Sequence, residues 1–476
     1  MPETESLKAL RAALGERVRT DPDSLYRHSF DGMRLAFPHE ADIVVDAPEQ
    51  VGEVLRLANG HRVPVTARGG GTTLTGSASP VRGGWVLLLG GLADLRIDPV
   101  NRFAHAGPGV IVSDLQERAR AGGLFYPPDP SSIRHCTVGG NIACNAGGMR
   151  CLKYGVTRDY VVALSGYLPT GEAVTFGRDV KKFAAGYNLR DLWIGSEGTL
   201  GVVTGATLRL IPAPAAVWSL LAAFPDERSA LDAVREAVEG GLGPAVLEFL
   251  DRPSVRGAEA AFGHPVFEGM PGRSLLLLQL DGSPGEVAIS REKVLEWVRA
   301  RAEAFRPAPS DEDAAKLWEI RRACSSAMFE LGDSKLNEDV VVPIDRQADL
   351  IDAVAAIRER HRVAVAVFGH AGDGNLHVNL MYHKDDAGEA ARARTAVGEL
   401  MERVVALGGA ISGEHGVGLA KTPFLGLQLA PAEIDAMRRI KKALDPNDIL
   451  NPGKIFEPYE VWNKEKEDYR FPWDHR

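Results

Sequence analysis

The sequence predicts an α+β protein of two domains, and three observations carry that prediction. The chain has 476 residues, more than one ordinary hydrophobic core organises. The run PAPAA at residues 212–216, rich in proline and short side chains, interrupts it near the middle. On both sides of that run, short apolar strand-like segments alternate with stretches of helical spacing.

The elements follow in order. An amphipathic helix opens the chain in MPETESLKALRAALGERV, which lacks the apolar core of a signal peptide. Residues 42–68 read as strand, helix, strand, and GWVLLLGGL at 84–92 as a buried strand. FAHAGPGVIVSDL adds a strand, a turn and a helix start, and residues 159–176 read as a hairpin turning at Pro-Thr-Gly. DLWIGSEGTLGVVTGATLRLIP at 191–212 ends the first region. Beyond the break come strands at 218–224, 245–250 and 275–280, with helices expected at 226–240, 285–305, 311–331 and 346–362. VAVAVFG and LHVNLMY form a strand pair across AGDGN, and helices at 387–407 and 432–444 close the pattern. The expected cover is an antiparallel sheet with helices on one side.

Bulk properties narrow the function. With 45% apolar and 25% charged residues the composition is that of a soluble globular protein, and no apolar run approaches the roughly 20 residues of a membrane span. A net charge of −9, spread along the chain, argues against nucleic acid. Cys136, Cys144, Cys151 and Cys324 include no C-x-x-C pair, which speaks against an iron–sulfur cluster in the chain and fits buried thiols in a reducing cytoplasm.

Two segments in the first region are glycine-rich. In ARGGGTTLTG, Gly69, Gly70, Gly71 and Gly76 flank Thr72 and Thr73 just after a strand, where backbone N–H groups can approach a pyrophosphate. In TVGGNIACNAGGMR, Gly139, Gly140, Asn141, Asn145, Gly147 and Gly148 suggest unusual backbone against a ligand. The first loop is not a Rossmann fingerprint, because no helix with an acidic residue about 20 positions on follows in the required way. In the second region, His370 and His377 flank the turn AGDGN, and Glu414-His415 sits between glycines. Two imidazoles and a carboxylate suit a divalent cation, and zinc, iron and manganese all accept them. An unligated His415 beside such an ion suits removal of an alcohol proton.

The ordered motifs ADIVVDAPEQV, RGGGTTLTG, VGGNIACNAGG, KYG, GSEGTLGVV, HAGDGNLH, GEHGVG and LDPNDILNPGKI span nearly the whole chain. In them the chain resembles the FAD-linked oxidases of the vanillyl-alcohol-oxidase type, within the subfamily that holds the glycolate oxidase FAD subunit, D-lactate dehydrogenase and D-2-hydroxyglutarate dehydrogenase. The resemblance implies a two-subdomain FAD-binding domain at 1–213, a substrate and metal-binding cap domain at 214–415, and a segment, 416–476, returning to the first. It implies that Arg68, Gly69, Gly70, Gly71, Thr72, Thr73 and Gly76 hold the FAD pyrophosphate. Pro128, Thr137, Gly139, Gly140, Asn145, Gly147 and Gly148 would line the flavin, helped by Tyr154 and Gly155. Glu197, Gly198 and Val203 would hold the adenosine part, and Asn451 would reach the isoalloxazine. Since no histidine lies in residues 67–76, the FAD is expected to be dissociable.

The same resemblance makes His370, His377 and Glu414 the metal ligands, with Asn379 a hydrogen-bond donor to substrate and His415 the general base. Arg321, Ser325 and Lys335 would meet the substrate carboxylate; Arg321 and Ser325 share a helical face. The implied reaction is oxidation of a D-2-hydroxy acid, D-lactate or glycolate first, to the 2-oxo acid with hydride passing to FAD. A D-2-hydroxyglutarate dehydrogenase, an electron-transfer subunit with a vestigial site and a metal-dependent hydrolase are the rivals. Electrons would leave to an external acceptor: an iron–sulfur partner subunit, an electron-transfer flavoprotein or a quinone. A homodimer and membrane association through a partner stay open. The tail at 457–476, with aromatics among charges, reads either as a docking segment or as a strap on its own domain.

Overall fold

The structure, a computed structural model, describes all residues except 1, 2, 462, 463, 465, 473, 475 and 476. The chain forms two compact units. The first comprises Met1–Gly147, Val156–Ala213 and Glu414–Asp474; the second comprises Gly148–Gly155 and Pro214–Gly413. Residues 148–155, assigned above to the first domain, thus fall in the second unit. Lys153 Nζ and Tyr154 Oη donate there to Asp281 Oδ1, at 2.6 and 2.8 Å.

In the first unit, strands Ala41–Val44, Trp85–Leu88 and Val65–Arg68 run parallel, and Val18–Arg19 joins the edge antiparallel. A parallel pair needs a crossover. Helix Pro48–His61 supplies it, with proline in its first turn and Arg62 closing it at φ 54°. Val51, Val54, Leu55 and Ala58 recur at helical spacing and pack on Ile43, Val65, Trp85 and Leu87. Each large side chain buried this way contributes about 1.5–3 kcal/mol. The C-terminal segment returns to the same core: Ile449 and Leu450 are buried in it, and Asn451 N donates to Val65 O at 2.8 Å.

A second sheet in this unit is antiparallel, ordered Leu95–Asp98, Phe103–Ala106, Val202–Arg209, Val161–Tyr167, Ala173–Gly177. The hairpin expected at 159–176 is its last pair. The second glycine-rich segment departs from expectation. Val138–Cys144 is a helix, capped by the Thr137 hydroxyl on Gly140 N and ended by Asn145 at φ 52°. Gly139 is there for packing, since an added Cβ would lie 2.5 Å from Pro108 Cβ. Described residues of the tail pack on the first unit: Tyr469 and Phe471 lie edge-on against Phe30, and Tyr26 Oη donates to Glu467 at 2.9 Å.

The second unit is built on a seven-stranded antiparallel sheet. Its order is Ala304–Ala308, Ala216–Phe224, Ser274–Gly282, Val246–Leu250, Ala364–His370, Asn375–Tyr382, Ser334–Val341. The edge strand Ala304–Ala308 lies where the sequence suggested the end of a helix; that helix stops at Arg301. Alternation puts Leu221, Ala223, Leu250, Leu275, Leu277, Ala366, Phe368 and Met381 on one face, under Val255 and Ala258 of helix Arg252–Phe262 and Leu317, Ile320 and Cys324 of helix Asp311–Ala327. Leu220, Ala222, Phe249, Leu276, Val365, Val367, Val378 and Leu380, at the alternate positions, are buried too. Both faces are therefore covered, not one. Among the described residues no helix is long and apolar enough to cross a membrane.

Candidate active site

The seven-stranded sheet places the chemistry by register. Phe368 pairs with His377, and His377 with Asp339. One step along, Ala366, Asn379 and Asn337 form the next row, and Lys335 pairs with Met381 beyond it. Since alternate residues share a face, His370, His377, Asn379, Asp339, Asn337 and Lys335 all point to the side covered by helix Asp311–Ala327. On that helix Arg321 falls between Leu317 and Cys324, so it too faces the sheet.

His370 and His377 converge as the hairpin predicts, with ring centroids 5.3 Å apart and planes at 88°. The turn is tight: Gly374 has φ 88°, and an added Cβ would lie 2.2 Å from Val342 O. Glu414 follows Gly413, whose N–H donates to Asp339 Oδ2 at 2.9 Å. One ligating atom from each of His370, His377 and Glu414 lies within 4.8 Å of the others, and no other such cluster occurs among the described residues. Imidazole and carboxylate donors at this spacing fit a divalent cation.

Two carboxylates behind these histidines escaped the sequence reading. Glu248 is wholly buried in strand Val246–Leu250. Its Oε1 lies 2.5 Å from His370 Nδ1, and its Oε2 accepts from Arg321 Nε at 2.8 Å. Burial alone would raise this carboxyl, but the charges of His370 and Arg321 hold it down to about 2. Asp339, also wholly buried, stands 3.9 Å from His377 Nδ1 and accepts from Asn375 Nδ2 at 2.6 Å. Carboxylates behind ligating histidines orient the rings and set their tautomers. The available signal was a lone glutamate in the apolar run AVLEFL, costly to bury without partners.

The expected substrate contacts are modified. Arg321 lies over Phe368, its guanidinium carbon 4.5 Å from the ring centroid, and its Nε donates to Glu248. Asn379 Nδ2 donates to Ala366 O and His377 O at 3.3 and 3.2 Å, and its Oδ1 accepts from Asn337 at 2.6 Å. As placed, its amide hydrogens meet these two backbone carbonyls. Lys335 Nζ lies 5.5 Å from the Phe329 ring centroid. The side chain of Ser325 falls outside the described residues.

In the first unit the two glycine-rich segments meet. A Cβ on Gly69 would lie 2.4 Å from Thr137 Oγ1, and one on Gly70 2.2 Å from His135 O. Gly71 and Gly76 have φ of 68° and 80°. Thr73 Oγ1 accepts from Ser77 at 3.0 Å, Arg68 Nη1 donates to Ala78 O at 3.3 Å, and the buried Ser79 Oγ has no protein partner. This cradle of close backbone with an unmet buried hydroxyl fits a dinucleotide cofactor. Thr72 lies in the same loop; Pro128 O accepts from Gln116 and Asn145 Oδ1 from Arg158 N, both at 2.9 Å. Gly140 lies in the helix Val138–Cys144, Gly147 ends the segment in this unit, and Gly148, Tyr154 and Gly155 sit in the second.

Glu197 has a task the sequence did not suggest. Its carboxylate accepts from Val417 N and Gly418 N at 2.7 and 2.8 Å, holding the loop that carries His415. Burial pushes Glu197 up to about 7, against the pull of those two N–H groups. Its side chain is therefore spent on that loop, where an adenosine contact was expected. Thr75 Oγ1 donates to His415 O at 3.3 Å from the other side. Gly198 has φ 69°, Val203 lies in strand Val202–Arg209, and Asn451 Nδ2 ties Ser77 O to Glu197 O at 2.7 and 2.8 Å.

Residues 213–455 match the family of FAD linked oxidases, C-terminal domain, and residues 40–177 match the FAD binding domain. The chain belongs to the FAD-linked oxidases and is an oxidoreductase with FAD as its cofactor. It is similar to the glycolate oxidase subunit GlcD of Bacillus subtilis, 40% identical over 86% of this chain and 87% of that one. It is also similar to the D-lactate dehydrogenase of Anaerostipes hadrus, 37% identical over 94% of each. Among solved structures, the 4-ethylphenol oxidase of Gulosibacter chungangensis superposes with a TM-score of 0.79 at 19% identity, over 96% of this chain and 97% of that one. p-Cresol methylhydroxylase does so with 0.79 at 18%, over 95% and 96%. These two confirm the expected vanillyl-alcohol-oxidase type of fold.

Proposed function

We propose that the protein oxidises a D-2-hydroxy acid, D-lactate or glycolate, to the 2-oxo acid with the help of a divalent cation, and passes the electrons to an external acceptor. The convergence of His370, His377 and Glu414 within 4.8 Å carries the metal part of this reading. The names of the B. subtilis and A. hadrus relatives, which specify glycolate and D-lactate, support the substrate class.

When bound, the cation supplies Lewis acidity to the substrate hydroxyl, and FAD supplies the hydride acceptor. The protein's residues do the rest. His370 offers its Nε2 because Glu248 holds its Nδ1 at 2.5 Å, and Asp339 lies 3.9 Å from His377 Nδ1 as a nearby charge. His415, one residue past Glu414 and fixed through its loop by Glu197, takes the hydroxyl proton at a ring nitrogen. Arg321 and Lys335 neutralise the carboxylate of the acid, and the Arg321 plane is set by Phe368 and Glu248. In this reading the electron acceptor is a separate molecule, since the sequence carries no C-x-x-C pair. A partner subunit is favoured as that acceptor, since the B. subtilis relative is named as a subunit.

The test is the visible spectrum of the anaerobic protein before and after D-lactate, with and without a chelator. Bleaching of the flavin band that the chelator abolishes is the expected result. Bleaching indifferent to the chelator removes the metal from the mechanism, and no bleaching with D-lactate, glycolate or D-2-hydroxyglutarate removes the substrate class.

A further inference from the structure

A glutamate at the centre of a seven-stranded sheet calls for a reason. Glu248 has no exposed side-chain surface, and the other four residues of its strand are Val246, Leu247, Phe249 and Leu250. A carboxylate there is tolerated only when it is paired and hydrogen-bonded. It has one partner on each oxygen: His370 Nδ1 at 2.5 Å on Oε1, and Arg321 Nε at 2.8 Å on Oε2. These partners come from a different strand and from a helix, 122 and 73 residues along the chain.

Each contact settles a choice in its partner. An imidazole whose Nδ1–H points at a carboxylate presents Nε2 to a cation. A guanidinium that gives Nε–H to one acceptor, with its carbon 4.5 Å from the Phe368 ring centroid, presents its two terminal nitrogens as the remaining donating edge. One rigid group therefore orients both the ligand that faces the cation and the cation that faces the substrate carboxylate.

We propose that Glu248 is a positioning residue which couples metal binding to recognition of the substrate carboxylate, so that the two ends of a 2-hydroxy acid are read by groups held on a single carboxylate. This rests on the metal-assisted reading given under Proposed function. Glu248 touches neither substrate nor cation; it acts through His370 and Arg321.

The decisive variant is Glu248→Gln. An amide keeps the shape but has only one oxygen. Turned toward Arg321, it presents N–H to His370 and reverses the ring's tautomer; turned toward His370, it sets donor against donor at Arg321. Zinc and manganese are titrated against the metal-stripped, FAD-loaded protein, a readout independent of turnover. KM for D-lactate is then measured at saturating metal. The expected result is a metal affinity lower by about 10–100-fold, with KM raised about tenfold or more and the flavin spectrum unchanged. Metal affinity and KM both within about twofold of wild type would overturn the coupling. If Glu248→Gln does not fold, Arg321→Ala replaces it. Removing the cation from the Glu248–His370 pair should tighten metal binding about threefold or more, although Arg321 contacts no ligating atom; an unchanged affinity overturns the proposal. Wild-type protein that takes up neither metal would instead sink the metal reading itself, and this proposal with it.

Discussion

The two units concentrate their unusual chemistry by opposite means. In the first it is done with backbone. Gly69 and Gly70 let one loop lie directly on another, where a Cβ would sit 2.4 Å from Thr137 Oγ1 or 2.2 Å from His135 O. In the second it is done with side chains. Glu248, His370, His377 and Asp339 stand in neighbouring strands of one sheet, each charge backed by a hydrogen-bonding or ionic neighbour. A backbone site depends on what the sequence omits, so it tolerates no added methyl. A side-chain site depends on registry among strands far apart in sequence, so it fails when one member of the network is left unpaired.

That contrast can be broken at several points. His415→Ala should reduce kcat about 10²–10⁴-fold while the flavin spectrum and metal content stay as they are; anaerobic reduction by D-lactate reads it. A small effect would move proton removal to another group. Glu197→Ala tests whether the first unit also relies on a side chain. It strips two N–H groups, Val417 and Gly418, of their acceptor, at about 1–3 kcal/mol each. Stability to urea should fall and kcat should fall with it, whereas FAD content is retained. Loss of FAD with normal kcat in the remaining holoenzyme would restore the cofactor role.

Gly70→Ala sharpens the backbone side of the contrast. Overpacking of this kind costs about 1–3 kcal/mol, and the FAD content of purified protein should drop. Gly60→Ala, where an added Cβ meets nothing within 4 Å inside helix Pro48–His61, should stabilise by about 0.5–1 kcal/mol. Equal effects at the two glycines would remove close packing as the reason for the first.

Asp251 tests the side-chain unit by pH. It caps helix Arg252–Phe262 through Ser254 N, accepts from Val367 N at 2.6 Å, and is pushed by burial from 3.8 up to about 7. A carboxyl whose folded pKa is raised binds its proton more tightly in the folded state. Its stabilising contribution is therefore full below pH about 4 and is lost as pH rises through about 7. Between pH 5 and 8 the wild type should lose about 2–3 kcal/mol more than Asp251→Asn in urea unfolding. Parallel pH profiles would show that Asp251 stays ionised.

Much of this was legible in the residues. The crossover at 41–68, the hairpin pair at 161–177 and the convergence of His370 with His377 follow from apolar periodicity and turn chemistry, which act within a few residues of chain. The glycine loop at 69–76 was equally clear, because close backbone approach needs residues without a Cβ. The helix Val138–Cys144 was hidden under the same signal, since glycines chosen for packing against Pro108 look like glycines chosen for a turn. Only tertiary structure assigned Glu248 to His370 and Arg321, Asp339 to His377, and Glu197 to the loop after His415. Those pairs are separated by 38 to 221 residues. Local propensity carries no information over such spans; strand order and register do.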